Sequence, residues 1–489
     1  MAFIDGTVVN VALPALQANL HATVVDVQWV VEAYALFLAA LLLVGGSSGD
    51  HFGRRKIYTL GVALFAGASA FCGLAANTQQ LIAARALQGV GGAILVPGSL
   101  AIISASFTED ARGKAIGTWS GFTAITAAIG PVLGGWLIEH VSWRAIFFIN
   151  LPIAVVVILL VIFHVPESKD EETQRLDWLG AALATIALGG IVYGLLESSR
   201  FGFRNTTILF SLGIGLASLV AFLLVERRVA NPMLPLKLFS SRNFSGANLL
   251  TLFLYTALSG VLFFLPLNLI QVHGYTATAA GAALLPFVLI MFVLSRWSGG
   301  LVKRYGGKLP LIIGPLVAGA GFFLFALPDA QPTGYWTSFF PAVVVLGLGM
   351  AISVAPLTTT VMNSVKQNRA GVASGINNAV SRVAGLLAVA VLGIVMLYTF
   401  NAQLDRILQS LPVSAEGKSA IDQQRTRLAA IEIPQSLPAQ DRDQLKQGID
   451  NSFVSGFRWV AIVCSLLGLA SALSAWWLIE GKRSTKKTV

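Results

Sequence analysis

GGSSGDHFGRRK, residues 45–56, is the stretch on which the reading of this chain turns. It separates two apolar runs, 28–48 and 57–76, each close to the ~20 residues that a helix needs to cross a bilayer. So short a link between two spanning runs makes a tight helical hairpin. Arg54, Arg55 and Lys56 at its end belong in water or among lipid phosphates, and the cytoplasmic bias of such cations orients the pair. Asp50 can cap the next helix or pair with an arginine, while Gly46, Gly49 and Gly53 permit close backbone approach. A second stretch, GGLVKRYGGK at 299–308, follows the same plan. Gly46 corresponds to Gly299 and Gly53 to Gly306, a lysine closes each link, and Lys303 stands where the first has Asp50. Two such links in corresponding places indicate a duplicated helical unit.

Composition assigns the class. Charged residues make up 11% of the 489, against about 25% in soluble domains, and apolar residues make up 55%. With a mean hydropathy of +0.75, this much apolar surface exceeds what a soluble core absorbs. The net charge of +10 does not indicate a nucleic-acid partner, because the cations sit at the ends of apolar runs rather than on one patch. Cys72 and Cys464 both fall inside apolar runs, so no disulfide framework is implied. The residues before Asp5 are too few for a cleavable leader.

Apolar segments of spanning length run over 1–19, 28–48, 57–76, 79–104, 115–138, 144–164, 178–196 and 207–226, then 246–267, 278–298, 309–327, 338–362, 373–399 and 456–479. That is fourteen transmembrane helices in an all-α integral membrane protein. The first is short on the near side of Asp5, so either the start lies further back or the helix itself is short. If the spans alternate, the side that holds Asp50 also holds Arg112, Lys114, Lys303, Arg304, Lys308 and the tail cations Lys482, Arg483, Lys486 and Lys487. The opposite short loops carry only Arg144, Arg200 and Arg204, which places both termini in the cytoplasm. Residues 400–455 are then external, with 415–430 and 439–455 reading as amphipathic helices of a small outer cap.

The fourth segment carries LIAARALQGVGGA, residues 81–93. An arginine in a membrane helix is costly unless paired or hydrated, so Arg85 faces the protein interior, and Gln88 shares its face. Gly89, Gly91 and Gly92 make a flat contact surface. The fifth segment carries AAIGPVLGGW, residues 127–136, where Pro131 removes a backbone hydrogen bond and Gly130, Gly134 and Gly135 permit bending and close packing.

These motifs resemble, in their order, those of the major facilitator superfamily. Gly46, Asp50, Gly53, Arg54 and Arg55 fall in a link similar to that family's motif between its second and third helices. Arg85, Gln88, Gly89 and Gly92 resemble its helix-four motif, and Gly130, Pro131, Gly134 and Gly135 its helix-five antiporter motif. DGTVVNVALP, residues 5–14, is similar to the helix-one signature of the fourteen-helix drug:proton antiporter branch. The chain departs from these patterns at Ser48, His51 and Thr126. The resemblance implies the major facilitator fold: two pseudo-symmetric six-helix halves that rock to expose a cavity to one side at a time, plus two extra helices. On that plan 1–165 is the N-terminal bundle, 166–230 the added pair, 231–245 a cytoplasmic linker and 246–489 the C-terminal bundle with its external loop. It also implies that Asp50 latches one state by pairing with arginines.

Low dielectric disfavours the charged form of a carboxylate, a property that a proton-carrying group needs. Asp5 in the first span is therefore the leading proton-coupling residue, the alternative being a solvated acid near the chain start. Glu32, in WVVEAYAL, is the other acid in an apolar run of the first half; it either shares the proton or binds a cation, or else reaches the outer surface. Arg85 either tunes the acid or is structural. Trp29, Tyr34, Trp119, Tyr255, Phe263 and Phe264 either line a substrate cavity or belong to the core and the interface belt, and Arg382 either joins Asn377 and Asn378 in that cavity or sits near the inner interface. Between Asn248 and Tyr398 the only acid is Asp329, in an outer loop, so carboxylate coupling belongs to the first half. No motif for ATP, metal or nucleophilic catalysis is present in the sequence, which reads as a non-enzyme.

The reading is a proton-coupled exporter of small lipophilic or cationic molecules such as drugs, a monomer in the cell (inner) membrane. Its partners are substrate, protons and lipid; its energy source is the proton gradient, and no cofactor is called for. Accessory proteins of the periplasm or outer membrane stay open. So do export of a specific metabolite, amino acid or siderophore, and a membrane sensor that transports nothing.

Overall fold

The computed structural model describes residues 1–107, 109–169, 177–229, 232–331, 334–365, 370–410 and 415–481, and every regular element among them is a helix. Some side chains inside helices fall outside the described set, those of Asp50, Arg112, Lys114, Arg296 and Lys303 among them, as do Lys366, Arg369 and the tail cations. A chain this apolar must satisfy its backbone internally, and helices do so one segment at a time.

The chain divides into two compact units. The first comprises residues 1–234, 262–282 and 389–456. It contains α1 (Ala2–Asn19), α2 (Val24–Phe52), α3 (Arg54–Leu74), α4 (Thr78–Ser106), α5 (Glu109–His140), the short α6 (Ala145–Phe148), α7 (Asn150–His164), α8 (Trp178–Phe201) and α9 (Thr206–Arg228). The second comprises 235–261, 283–388 and 457–489. Most of α10 (Arg242–Leu267) lies in it, while α11 (Ala277–Ala282) belongs to the first unit. Next come α12 (Leu285–Tyr305), α13 (Lys308–Leu324), α14 (Tyr335–Ser338) and α15 (Phe340–Asn363). α16 (Ala370–Ser410) and α18 (Ala439–Leu478) contribute to both units, and α17 (Ala415–Asp422) to the first.

Each of the fourteen apolar segments falls on helix. Among the described residues, eleven stretches are long and apolar enough to cross a membrane. The other three segments are α1 (18 residues), α13 (17 residues) and α5. The outward surfaces of the spanning helices are apolar: Phe71 of α3, Leu160 and Phe163 of α7, Phe210 of α9, Val293 of α12 and Trp477 of α18 are all exposed, as lipid contact requires.

The opening stretch differs from its reading as a link. Residues 45–52 continue α2, and the chain turns at the single residue Gly53, at φ +109°. Its counterpart Gly306, at φ +78°, ends α12 in the same way, so the paired links are paired turns. The glycines before the turn serve packing: a Cβ on Gly45 would lie 2.1 Å from the Ala93 carbonyl oxygen of α4. The N-terminus of α3 is capped from a distance by Glu167. Its carboxylate accepts from the amides of Arg55 (3.0 Å) and Lys56 (3.3 Å), while the Arg54 amide donates to the Ser168 carbonyl at 2.8 Å. Arg55 adds a side-chain bond to the Val165 carbonyl at 3.2 Å. Gly46 packs on Pro97 of α4.

The stretch 415–430, read as one amphipathic helix, is α17 followed by a 3-10 turn at Arg425–Ala430. Residues 439–455, read as a separate amphipathic helix, are the first turns of the 40-residue α18, because nothing between 455 and 456 breaks the helical hydrogen bonding.

Candidate functional site

α4 lies between α2 and α3 because its glycines remove the side chains that would hold it off. A Cβ on Gly89 would sit 2.5 Å from the Tyr34 carbonyl oxygen of α2, and one on Gly91 2.6 Å from the Phe65 amide nitrogen of α3. Gly92 faces Tyr34 and Leu38. This close fit places Arg85 and Gln88, one turn apart on α4, in a fully buried position against α1.

There they meet Asp5. Arg85 donates to one Asp5 carboxylate oxygen at 2.5 Å, and the Gln88 amide donates to the other at 2.9 Å. Arg85 also donates to Gln88 Oε1 (2.7 Å) and to the Val30 carbonyl (3.0 Å), with its guanidinium 4.4 Å from the centre of the Tyr34 ring. The Cys72 thiol of α3 closes the cluster on Gln88 Oε1 at 3.6 Å. Asp5 and Arg85 are each 1% exposed, so each charge depends on the other. A proton on Asp5 would cancel the attraction and leave a buried guanidinium that cannot discharge. The charge on Asp5 and the bond that ties α1 to α4 are in this way linked.

Glu32 is equally buried, yet one of its carboxyl oxygens has no hydrogen-bond partner. One turn before it on the same helix, the Gln28 amide donates to the Val389 carbonyl of α16 at 3.2 Å. Trp29 donates its indole N–H to Glu197 of α8 at 2.8 Å. Arg200, also of α8, reaches both Asp26 (3.1 Å) and the Thr23 hydroxyl (3.0 Å) at the start of α2. Glu197 is a buried acid one residue past the apolar run 178–196, and hydropathy alone does not mark it. Glu226, buried at the end of α9, is another; it accepts from the Leu234 amide at 2.9 Å.

The glycines of α5 face two ways. A Cβ on Gly134 would lie 2.7 Å from the Val8 side chain of α1, and Gly130 similarly abuts Thr7. On the other side a Cβ on Gly135 would lie 2.5 Å from the Ala277 carbonyl oxygen, and one on Gly281 2.2 Å from that of Pro131. α5 and α11 therefore touch backbone to backbone. Glu139, just past this contact, accepts from the Thr278 amide at 2.6 Å. Slight desolvation pushes its carboxyl up, but hydrogen bonds from Thr278 and Thr276 outweigh this and hold it below the ordinary value.

Of the cavity candidates, Tyr34 is buried under Arg85, and Phe263 and Phe264 are buried against one another. Trp119 stands edge-on to Phe3 of α1. In the second unit, the Asn377 amide of α16 donates to Asn248 Oδ1 (3.1 Å) and to the Thr251 hydroxyl (2.7 Å) of α10. Arg382 and Tyr255 are half-buried on the same pair of helices. Asp5, Arg85 and Gln88 come together; within the same unit Trp29 bonds to Glu197 instead, and one Glu32 oxygen has no partner.

A family model described as Major Facilitator Superfamily matches residues 1–389. The tetracenomycin C resistance and export protein of Streptomyces glaucescens is 31% identical over 478 residues, covering 97% of this chain and 88% of that one. The multidrug resistance protein Stp of Mycobacterium tuberculosis is 32% identical over 488 residues, covering 98% and 89%. Among solved structures, an inward-facing, unoccupied bacterial homologue of the human lysosomal transporter Spinster superposes with a TM-score of 0.66 at 17% identity, covering 97% of this chain and 94% of that one.

Proposed function

Since the chain belongs to the major facilitator superfamily, we propose that it is a secondary active exporter of small lipophilic molecules, cations and drugs included, driven by inward proton flow. Relatives named for resistance and export over nearly the full chain support the direction and the substrate class. The observation that carries the coupling is the buried Asp5–Arg85–Gln88 cluster, an ion pair joining two membrane helices with no solvent to share its charge. Residues 1–165 and 246–489 are taken as the two six-helix halves and 166–230 as the added pair. Asp5 is assigned as the proton carrier, Arg85 as its counter-charge and Glu32 as a second acid for cations or protons.

Purified protein in proteoliposomes tests this reading. An imposed proton gradient should drive a lipophilic dye against its own gradient, and an uncoupler should stop it. Dye movement that ignores the gradient would remove proton coupling from the reading. Net failure to move any dye would remove export.

The same reading puts both termini in the cytoplasm, and the cations of the short loops support it. A single cysteine introduced within 415–450 should react with an impermeant thiol reagent added to intact cells, and one within 50–56 should not. Reaction of both from outside would overturn this orientation.

A further inference from the structure

Arg382 stands on α16, ten residues into the apolar stretch that begins at Val372. At ~1.5 Å per residue that is about 15 Å along the helix from the start of the stretch. It is half-buried, and among the described residues no hydrogen bond or ion pair engages it. Nor does its own unit offer a carboxylate in a membrane helix. The only acids of that unit are Asp329 and Glu480. Asp329 lies between α13 and α14 and is paired with Arg458 at 2.8 Å, while Glu480 lies beyond the end of α18. A guanidinium cannot shed its charge, so it needs an anion or water from elsewhere.

Its surroundings are polar. Ser374, Asn378, Ser381 and Arg382 fall on one face of α16, all partly or fully exposed. The Asn378 and Ser381 side chains bond back to carbonyls of their own helix at 3.1 and 2.8 Å, leaving other bonding positions open. α10 flanks this face: Asn377 bonds to Thr251 below, Gly385 meets the Ser259 hydroxyl above, and Tyr255 between them lies within the field of Arg382.

We propose that Arg382 is the recognition point for an anionic group, and that the exporter takes lipophilic carboxylic acids as one class of substrate. This rests on the export reading above. The guanidinium fork matches a carboxylate two-to-two, and Asn378 and Ser381 on the same face supply neutral partners for a further oxygen. The division of labour follows from the charges: the first unit holds the buried acids and their proton, the second holds a cation and no membrane acid. The inside-negative potential also favours moving an anion outward, so anion export and inward proton flow pull the same way.

Three fluorescent probes of one shape separate the outcomes: anthracene-9-carboxylate, its uncharged carboxamide and anthracen-9-ylmethylammonium. Binding to the purified protein in detergent is read by fluorescence anisotropy at neutral pH. The carboxylate should bind more tightly than the carboxamide, and Arg382→Gln should weaken it about 10- to 100-fold, the range for a hydrogen bond to a charged group. The same variant should leave the carboxamide unchanged, and Arg382→Lys should restore part of the preference. Equal losses for carboxylate and carboxamide would make Arg382 structural, and a wild-type preference for the ammonium or for neither would equally overturn the proposal. Export in proteoliposomes separates the two readings. Movement of the carboxamide with no dependence on charge sinks only the anion subsite, whereas movement of no probe or dye sinks export itself.

Discussion

Replacing Asp5 by Asn is expected to reduce uphill export to the level of protein-free vesicles, while downhill exchange of substrate continues. Asparagine keeps the size of the side chain and can still accept from Gln88, and Arg85 keeps Gln88, Val30 and the Tyr34 ring as partners. α1 keeps its packing on α5, so the fold and the path for substrate are expected to survive at a cost in stability. What disappears is the one acid of this cluster, the group proposed as the proton carrier. On that proposal the variant has no means to tie inward proton flow to outward substrate flow. Glu32→Gln should act differently. Glu32 is buried with an unpartnered oxygen but lies outside the ion-paired cluster, so its loss should narrow the range of cationic substrates and leave most uphill pumping intact. Accumulation in proteoliposomes under an imposed gradient, set beside counterflow without one, reads both. If Asp5→Asn still pumps uphill with normal proton dependence, Asp5 is not the carrier and Glu32 takes its place.

Much of this arrangement was legible in the residues, for reasons that can be named. A charge inside an apolar run must be compensated, and few acids lie in the first half, so a meeting of Asp5 with Arg85 was within reach of the sequence. The paired turns were legible because Gly53 and Gly306 hold corresponding places in two like-spaced glycine-rich basic links, and both adopt backbone angles that favour glycine. The continuation of α2 through Phe52 was not. Glycine and serine suit a loop and a close helix contact alike, and only the nearness of Ala93 decides between them. The cap on α3 was hidden because Glu167 is remote in sequence and stands in a polar stretch with other acids. Glu197 was missed because a hydropathy boundary drawn at 196 assigned it to a loop, whereas α8 runs to Phe201 and buries it against Trp29. In each case the missing information was a long-range contact, which neither periodicity nor composition records.

Arg85 and Asp5 are expected to be strongly coupled in stability, and the sign of that coupling identifies the cluster as a true buried ion pair. Removing one partner of such a pair costs roughly 3–5 kcal/mol, because the other charge is left without compensation. Arg85→Leu strips Asp5 of its cation, and Asp5→Asn strips Arg85 of its anion. The two losses are not equivalent. A carboxyl left alone can take a proton, whereas a guanidinium left alone cannot lose one. Acidification should therefore recover part of the stability of Arg85→Leu and none of that of Asp5→Asn. The double variant, with neither charge, should be more stable than the sum of the single losses implies, by at least about 1 kcal/mol, as for other contacting pairs. Uphill export should stay absent in all three, since none retains both the proton carrier and its counter-charge. Thermal unfolding in detergent, followed by tryptophan fluorescence at neutral and acidic pH, measures each quantity. Strictly additive losses, or equal responses to acid, would mean that Asp5 and Arg85 do not depend on one another, and the link between protonation and helix docking would fall with them.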